Sequence, residues 1–414
     1  MKMYCRALKT DSDFTLSSGH TLEILLGALV LIAPYYWIPG LSVGILSALK
    51  GCLVGVLTLL WGSRVVIFGK YRIFNPSVMV ALSILPLVVL PGLIKMESIS
   101  GFTNYLDYFL VIVVFLIAND VIYFRGIRSI ERFYLLIILS MLPQALYVFA
   151  VVLGLLKPIP VPTVFRNPSE PYGVGFSAVQ TQFSITLGLI VPLLAGYVFG
   201  NFEHRKRRQR YGFALLFLPL AVAMVSSSGR TGMLVALTGL FVFLILEDKR
   251  LFATVFTGLT SMLLFLLLVV PQSFFRITKI NRGLNGFTSN RVYLFSHAWN
   301  IVLQNPVIGL GYGNRPFAID NLYLATFVES GVLSGLGVAV ILLITIIEGF
   351  RTVLDLRGTK YNSMAYGLFG AVVSYVPASM FERGVVFLNF YINVSWWVCL
   401  ACLLALTRYA GDGR

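Results

Sequence analysis

The chain has 414 residues, of which 58% are hydrophobic and only 12% are charged. Soluble domains usually contain about 45–50% apolar and about 25% charged residues, so this composition excludes an ordinary soluble enzyme. The net charge of +15 would suggest a nucleic-acid partner in a soluble protein, but in a membrane protein basic residues first indicate which loops face the cytoplasm.

An apolar stretch of about 20 residues is long enough to cross a bilayer core about 30 Å thick. The chain contains twelve such stretches, near 20–38, 41–61, 77–94, 104–124, 133–156, 178–199, 211–226, 231–247, 251–271, 321–347, 362–379 and 387–407. The first is too long for the apolar core of a signal peptide, so we expect no cleavable leader. No internal repeat or separate soluble domain stands out. We therefore predict an all-α polytopic integral membrane protein with about twelve transmembrane helices and a single membrane domain over residues 1–414.

The distribution of Lys and Arg between the loops sets the predicted orientation. If the N-terminus is cytoplasmic, the cytoplasmic segments hold roughly twice as many basic residues as the external ones, as the positive-inside rule requires. An even number of spans then places both termini in the cytoplasm. The basic cluster at residues 203–210 is better explained by anchoring this orientation than by nucleic-acid binding, and we expect no nucleic-acid partner.

Two external segments carry charge that the orientation does not explain. Residues 157–177 contain Arg166 among Pro and Gly residues, and residues 272–320 form a large loop that contains Arg276 and Arg315. Basic residues outnumber acidic ones on the external side, so we expect an anionic ligand there. Loops of this length in a compact protein are usually functional.

A tight hairpin joins the seventh and eighth spans at residues 226–232, which read SSSGRTG. It places Arg230 at or just below the outer surface, where an unpaired basic residue is costly. One interpretation is an arginine that only anchors the hairpin. The interpretation that we favour is anion binding, because the planar fork of arginine matches phosphate oxygens bidentately.

The large external loop contains a predicted amphipathic helix near 290–304. On one face, at helical spacing, lie Val292, Phe295, Trp299, Val302 and Leu303, so we expect this helix to lie along the outer membrane interface. Arg291 lies in its first turn, where the helix dipole disfavours a cation unless an anion is near, and this favours a ligand role. For His297 we favour packing over catalysis.

The loop ends at Asp320, which stands at the entrance to the tenth span. A carboxylate among arginines is either a simple ion-pair partner or a general base that takes a proton from a hydroxyl. Glu329 lies nine residues further along the chain, which is about 13 Å deeper by helix rise, and we expect it to stabilise the bundle.

Four features in chain order resemble the O-antigen ligase and polymerase superfamily. They are Ser-x-Ser-x-Arg ending at Arg230, the Arg291 to Trp299 helix, the turn Asn305-Pro306-Val307-Ile308-Gly309-Leu310-Gly311, and Asp320-Asn321-x-Tyr323-Leu324 before a Gly-x-x-x-Gly span. The resemblance implies a GT-C-like glycosyltransferase of the bacterial inner membrane, working without metal or other cofactor at the periplasmic side. It implies that Arg230 and Arg291 hold the diphosphate of an undecaprenyl-diphosphate-linked glycan.

The same resemblance favours a repeat-unit polymerase. Ligases that join O-antigen to lipid A core have a histidine where Asp320 stands, and the loop from Arg291 to Asp320 is short for a ligase. The predicted catalytic residues are Asp320, Arg230 and Arg291. The predicted substrate-binding residues are Arg166, Arg276, Arg315, Asn321, Tyr323, Glu382 and Arg383. The predicted partners are the lipid-linked donor and acceptor glycans and membrane lipids, with a chain-length regulator as an open possibility.

Two alternatives stay open from the sequence. One is an O-antigen ligase that uses the same donor. The other is a transporter of lipid-linked glycan, for which Lys50, Asp107 and Asp120 are the charged residues within predicted spans. Transporters usually show two similar halves, and these halves do not look alike.

Overall fold

A computed structural model describes residues 19–36, 38–39, 41–68, 74–159, 176–177, 180–199, 212–227, 229–248, 250, 253, 257 and 291–409. Within these ranges the regular elements are helices, and the only extended pairing is an isolated bridge between Ile38 and Leu41. The all-α prediction is therefore confirmed for the described part of the chain.

The helices are numbered α1 to α14 in chain order. They are α1 Gly19–Ile32, α2 Val43–Phe68, α3 Pro76–Val89, α4 Pro91–Ile94, α5 Ile99–Arg125, α6 Ile127–Val152, α7 Gln180–Phe199, α8 Phe217–Ser227, α9 Arg230–Glu247, α10 Arg291–Gln304, α11 Leu322–Ser330, α12 Val332–Asp355, α13 Asn362–Ser379 and α14 Phe390–Ala405.

Eight helices in the described ranges are long and apolar enough to cross a membrane. Two apolar helical segments are shorter, namely α1 and the segment Gly212–Ser227 that includes α8. Eleven of the twelve predicted spans overlap a helix, and the span predicted over 251–271 lies outside the described residues except at positions 253 and 257. The structure is thus that of a polytopic membrane protein, while the number twelve stays a prediction.

The predicted tenth span, 321–347, is two helices rather than one. Helix α11 ends at Ser330, and Gly331 adopts a left-handed φ of 90° before α12 begins. A Cβ at Gly331 would collide with the carbonyl oxygen of Val307, so the close approach of the turn that precedes α11 requires glycine there. Because of this break, α11 is a separate short helix before α12 and not the first part of one straight span.

Helix α14 lies in the core of the described bundle, since fourteen of its sixteen residues are buried. Its two tryptophans hydrogen-bond across to other segments, since Trp396 Nε1 donates to the carbonyl of Val372 at 3.1 Å and Trp397 Nε1 to that of Val386 at 2.6 Å. Buried indole N–H groups need such partners. The core therefore fixes both α13 and the turn that follows it.

Helix α5 has 27 residues and is about 40 Å long, so its two ends mark opposite ends of the bundle. At the Arg125 end, the Glu23 carboxylate accepts from Arg125 Nε at 3.0 Å. At the Ile99 end, the turn before α11 packs against α4, with Tyr312 N donating to the carbonyl of Gly92 at 2.8 Å. These two groups of contacts therefore lie at opposite ends of the bundle, and which end faces the periplasm stays a prediction.

Candidate functional site

Arg291, the first residue of α10, contacts two carboxylates that come from distant parts of the chain. Its Nη2 donates to Glu382 Oε1 at 3.2 Å and lies 3.8 Å from Asp320 Oδ2. Asp320 immediately precedes the N-cap of α11, and Glu382 lies in the turn between α13 and α14. Three segments that are far apart in sequence thus place one cation and two carboxylates together.

The N-terminus of α9 completes this cluster. Thr231 Oγ1 donates to the same oxygen of Glu382 at 3.5 Å, and Arg230 lies close enough to Arg291 for the two positive charges to repel each other. Gly229 and Gly232 hold α9 tightly against α7, because a Cβ at either position would collide with Ser184. The backbone carrying Arg230 is therefore fixed by close helix packing.

We call Arg230, Thr231, Arg291, Asp320 and Glu382 the arginine cluster. Arg230 and Arg291 each stand at the first residue of a helix, and Asp320 stands just before the first residue of a third. Helix N-termini carry partial positive charge and bind anions, so the dipoles and the arginines act in the same direction. The arrangement can bind a polyanion such as a diphosphate.

The side chain of Glu382 differs electrostatically from that of Asp320. Burial, with the nearby Asp320 charge, raises the pKa of Glu382 to about 7, while Arg291 and Thr231 oppose this rise. The Asp320 side chain is 49% exposed, against 19% for Glu382. Asp320 is therefore the carboxylate that an incoming hydroxyl can reach, and Glu382 is the one held against the arginine.

A second ion-pair cluster lies beside the first. Glu329, only 1% exposed, accepts from Arg383 Nη2 with both oxygens at 2.9 and 2.7 Å, and Arg315 Nε lies 3.0 Å from its Oε1. Burial and the neighbouring Arg383 lower the pKa of Arg315. Two arginines predicted to bind substrate are thus already paired with a buried carboxylate.

The turn between α13 and α14 is held in an uncommon backbone conformation. Val386 and Asn389 have φ angles of 69° and 56°, and a β-branched residue such as Val386 rarely adopts this conformation without support. The buried side chain of Asn393 supplies that support, since its Oδ1 accepts from Val386 N at 2.9 Å and its Nδ2 donates to the carbonyl of Gly384 at 3.1 Å. The turn carrying Glu382 is rigid as a result.

The remaining predicted site residues have mainly structural contacts. Asn321 caps α11, with Oδ1 accepting from Leu324 N at 2.8 Å and Nδ2 donating to the carbonyl of Met380 at 3.0 Å. Tyr323 hydrogen-bonds the side chain of Ser379. Arg166 and Arg276 lie outside the described residues, as do residues 272–290 of the large loop.

The helix predicted near 290–304 forms as α10, and of its predicted apolar face Phe295 and Val302 pack inward. Ala298 and Val302 are buried against α11, whereas Val292, Trp299 and Leu303 are exposed. Small Ala298 allows close approach to α11, and the bulkier residues project to the side. The His297 ring packs against Phe317, 5.2 Å between ring centroids, which agrees with a packing role.

Each charged residue considered for transport has a structural partner. Asp120 pairs with Arg64 at 3.3 Å, Asp107 accepts from Asn389 N at 2.9 Å, and Lys50 donates to the carbonyl of Ala33 at 3.0 Å. The described residues contain no group of three or more His, Cys, Asp or Glu that could hold a metal ion.

Sequence reasoning overlooked Thr231 and Asn393, and it did not pair Glu382 with Arg291. Thr231 follows Arg230 directly, so its place in the hairpin was the one available signal. The contact between Arg291 and Glu382 spans 91 positions and exists only because α9, α10 and the α13–α14 turn converge.

The part of the chain that resembles known proteins includes most of the arginine cluster. Residues 214–342 match the family described as O-antigen ligase, which confirms the resemblance to that superfamily. The match includes Arg230, Arg291 and Asp320 but ends before Glu382.

A solved structure described as "Structural coordination of polymerization and crosslinking by a peptidoglycan synthase complex" contains a similar chain. The two share 16% identity with a TM-score of 0.48, covering 80% of this chain and 98% of that one, a score too low to establish a common fold. No curated protein matches this chain.

Proposed function

We propose that this protein is a polysaccharide polymerase of the bacterial inner membrane. It transfers a glycan from undecaprenyl diphosphate to a sugar hydroxyl on another lipid-linked repeat unit. The observation that carries this proposal is the arginine cluster, in which two helix-N-terminal arginines and an accessible carboxylate come together. The family match over residues 214–342 supports glycan transfer of the O-antigen type.

In the proposed reaction, Arg230 and Arg291 bind the donor diphosphate. The acceptor oxygen attacks the anomeric carbon while the bond from that carbon to the phosphate oxygen breaks, so the configuration inverts. Asp320 accepts the proton of the attacking hydroxyl, and undecaprenyl diphosphate leaves with the bonding electron pair. Preorganised positive charge at the leaving group is the kind of interaction that usually contributes most to such a reaction.

The exposure of the two carboxylates supports Asp320 as the base. A base must come within hydrogen-bond reach of the hydroxyl that it deprotonates. Asp320 is about half exposed, and among the described residues the cation that pairs with it, Arg291, is 3.8 Å away, so it can receive a hydroxyl without breaking a close ion pair. Glu382 shares one oxygen between Thr231 and Arg291 and is mostly covered.

The second candidate is an O-antigen ligase, which the description of the matching family favours. Both enzymes would use the same donor and the same arginines, so they differ only in the acceptor. We prefer the polymerase because an aspartate, rather than the histidine that ligases have, stands at position 320.

Glycans from a deletion strain separate the two functions. Single repeat units attached to lipid A core indicate a lost polymerase, whereas long chains stranded on undecaprenyl diphosphate indicate a lost ligase. Elongation of lipid-linked glycan by the purified protein in detergent is the companion assay, since detergent solution has no second compartment for transport. Absence of any glycan transfer in that assay, with both acceptor classes supplied, would contradict the proposed function.

A further inference from the structure

The two buried carboxylates near the site are held very differently. Both oxygens of Glu329 are engaged by arginines, and its side chain is 1% exposed. Glu382 uses Oε1 alone for its contacts with Arg291 and Thr231, and its side chain is 19% exposed. Glu329 is therefore locked in place, whereas Glu382 is attached through one oxygen at the edge of the site.

The backbone around Glu382 is fixed, so only its side chain is free to turn. Glu382 N donates to the carbonyl of Ala378 at 2.8 Å, and Asn393 secures the following residues of the turn. A side-chain rotation can then remove the carboxylate from Arg291 without moving α13 or α14.

The Glu382 carboxylate lies against the Arg291 guanidinium, where an oxygen of a bound diphosphate would lie. The best-matched anion for Arg291 is one that faces the forked guanidinium, and Glu382 already contacts Nη2 of that fork at 3.2 Å. A diphosphate and the Glu382 carboxylate cannot both be close to Arg291 without strong repulsion between like charges. One of the two must leave or lose its charge.

We propose that Glu382 is a displaceable internal anion: it neutralises Arg291 until a lipid diphosphate binds, and on displacement its carboxylate takes up one proton from water. This inference rests on the proposed function, because it assumes that the ligand of the arginine cluster is a diphosphate. The proton balances the charge, since the site gains the negative charge of the ligand and loses that of the carboxylate.

The direction of the pH dependence follows from the groups around Glu382. Arg291 on α10 and Thr231 and Arg230 on α9 face the cluster, with Asp320 on the segment before α11, while the adjacent Arg383 is paired with Glu329. The pKa of Glu382 is about 7 while it contacts Arg291. Burial is the main cause of this raised pKa, and the proposed rotation keeps the carboxylate inside the covered turn. Loss of the Arg291 contact and arrival of the diphosphate then both raise the pKa further, so the bound state holds one proton more above about pH 7.

Binding should therefore weaken as the pH rises above about 7, by up to about tenfold per pH unit, because the proton is a co-ligand. The experiment uses the full chain in detergent and farnesyl diphosphate as the probe. Isothermal titration calorimetry in two buffers of different ionisation enthalpy, from about pH 6 to about pH 8.5, gives both the affinity and the number of protons taken up.

The decisive variant is Glu382→Gln, which keeps the shape but cannot titrate. We expect it to bind farnesyl diphosphate at least several-fold more tightly than wild type at about pH 8, and to take up about one proton fewer. Protonation changes of farnesyl diphosphate itself are common to wild type and variant, so the difference in proton uptake between the two proteins belongs to Glu382. Glu97→Gln is the matched control, because Glu97 is an exposed carboxylate at the same end of the bundle.

A second variant keeps the test valid if Glu382→Gln fails to fold. Asp320→Asn removes the other carboxylate that contacts Arg291, and we expect it to retain the proton uptake. Loss of that uptake in Asp320→Asn, or weaker binding by Glu382→Gln at every pH, would overturn the proposal, since the second result is that of a residue that only positions Arg291. Wild-type protein that does not bind farnesyl diphosphate at all would instead contradict the proposed function itself.

Discussion

Replacement of Asp320 by asparagine separates a catalytic base from a simple ion-pair partner. The asparagine side chain has the same shape and can still hydrogen-bond a sugar hydroxyl, but it cannot accept a proton. If Asp320 is the base, Asp320→Asn should abolish most turnover while the donor still binds. A general base typically contributes about 10² to 10⁴ in rate, or roughly 3 to 5 kcal/mol of barrier.

The ion-pair alternative predicts a much smaller effect, and the geometry sets its size. The Asp320 carboxylate is 3.8 Å from Arg291 Nη2 and 49% exposed. Arg291 is only 18% exposed, but the long separation and the solvated Asp320 make this a weak ion pair, worth about 1 kcal/mol or a change of about fivefold. The two explanations therefore differ by at least an order of magnitude in the expected rate.

The assay measures initial rates with a lipid-linked donor at saturating acceptor, together with donor affinity in the absence of acceptor. The base hypothesis requires that turnover falls by at least about 100-fold and that the donor dissociation constant changes by less than about fivefold. A loss of turnover of less than about tenfold would refute the assignment of Asp320 as the base. Equal melting temperatures of the two purified proteins show that folding is not the cause.

Three further predictions follow from the same contacts. Arg230→Lys should lose most activity while the protein remains folded, because an ammonium cannot replace a bidentate guanidinium; turnover within about threefold of wild type, compared at equal detergent-extracted yield, would contradict the diphosphate role. Glu329→Gln should strongly lower the melting temperature in detergent, because removing one partner of a buried ion pair costs about 3 to 5 kcal/mol. Glu97→Gln is the control and should leave the melting temperature unchanged. Similar melting curves for the two variants would show that the buried pair does not matter. With the four native cysteines replaced, Ala318→Cys should react with an impermeant thiol reagent in intact spheroplasts, and Arg357→Cys should react only after lysis. The reason is that residues 318 and 357 lie at opposite ends of the bundle. The reverse labelling pattern would invert the predicted orientation.

Most of the fold follows from apolar run length, because a helix that crosses lipid must be about 20 residues long and predominantly apolar. For this reason the predicted span 104–124 lies within α5, Ile99–Arg125, which is one of the eight helices apolar and long enough to cross a membrane. The interruption at Gly331 was not predicted, because α11 and α12 together form one continuous apolar run. What separates them is the packing of residues 306–307 against Gly331, a contact that composition does not record.

The candidate site was predictable in part. Arg230, Arg291 and Asp320 stand at the points where helices begin, and a sequence with clear helix boundaries shows such positions directly. Glu382 and Asn393 were harder, since a carboxylate or an amide near a span has many structural uses. Their roles depend on which loops meet at one end of the bundle, and that depends on the packing of α14.

The degree of burial assigns a different task to each carboxylate around the arginines. Glu329 is fully covered and paired through both oxygens, so it can neither accept a proton from substrate nor release its arginines without a large cost. Glu382 is mostly covered and attached through one oxygen, which suits an anion that gives way to a ligand. Asp320 is half exposed and only loosely paired, which leaves it free to meet an acceptor hydroxyl. The same ordering separates the arginines, because Arg315 and Arg383 are paired with the buried Glu329, whereas the partners of Arg291 are the two more exposed carboxylates.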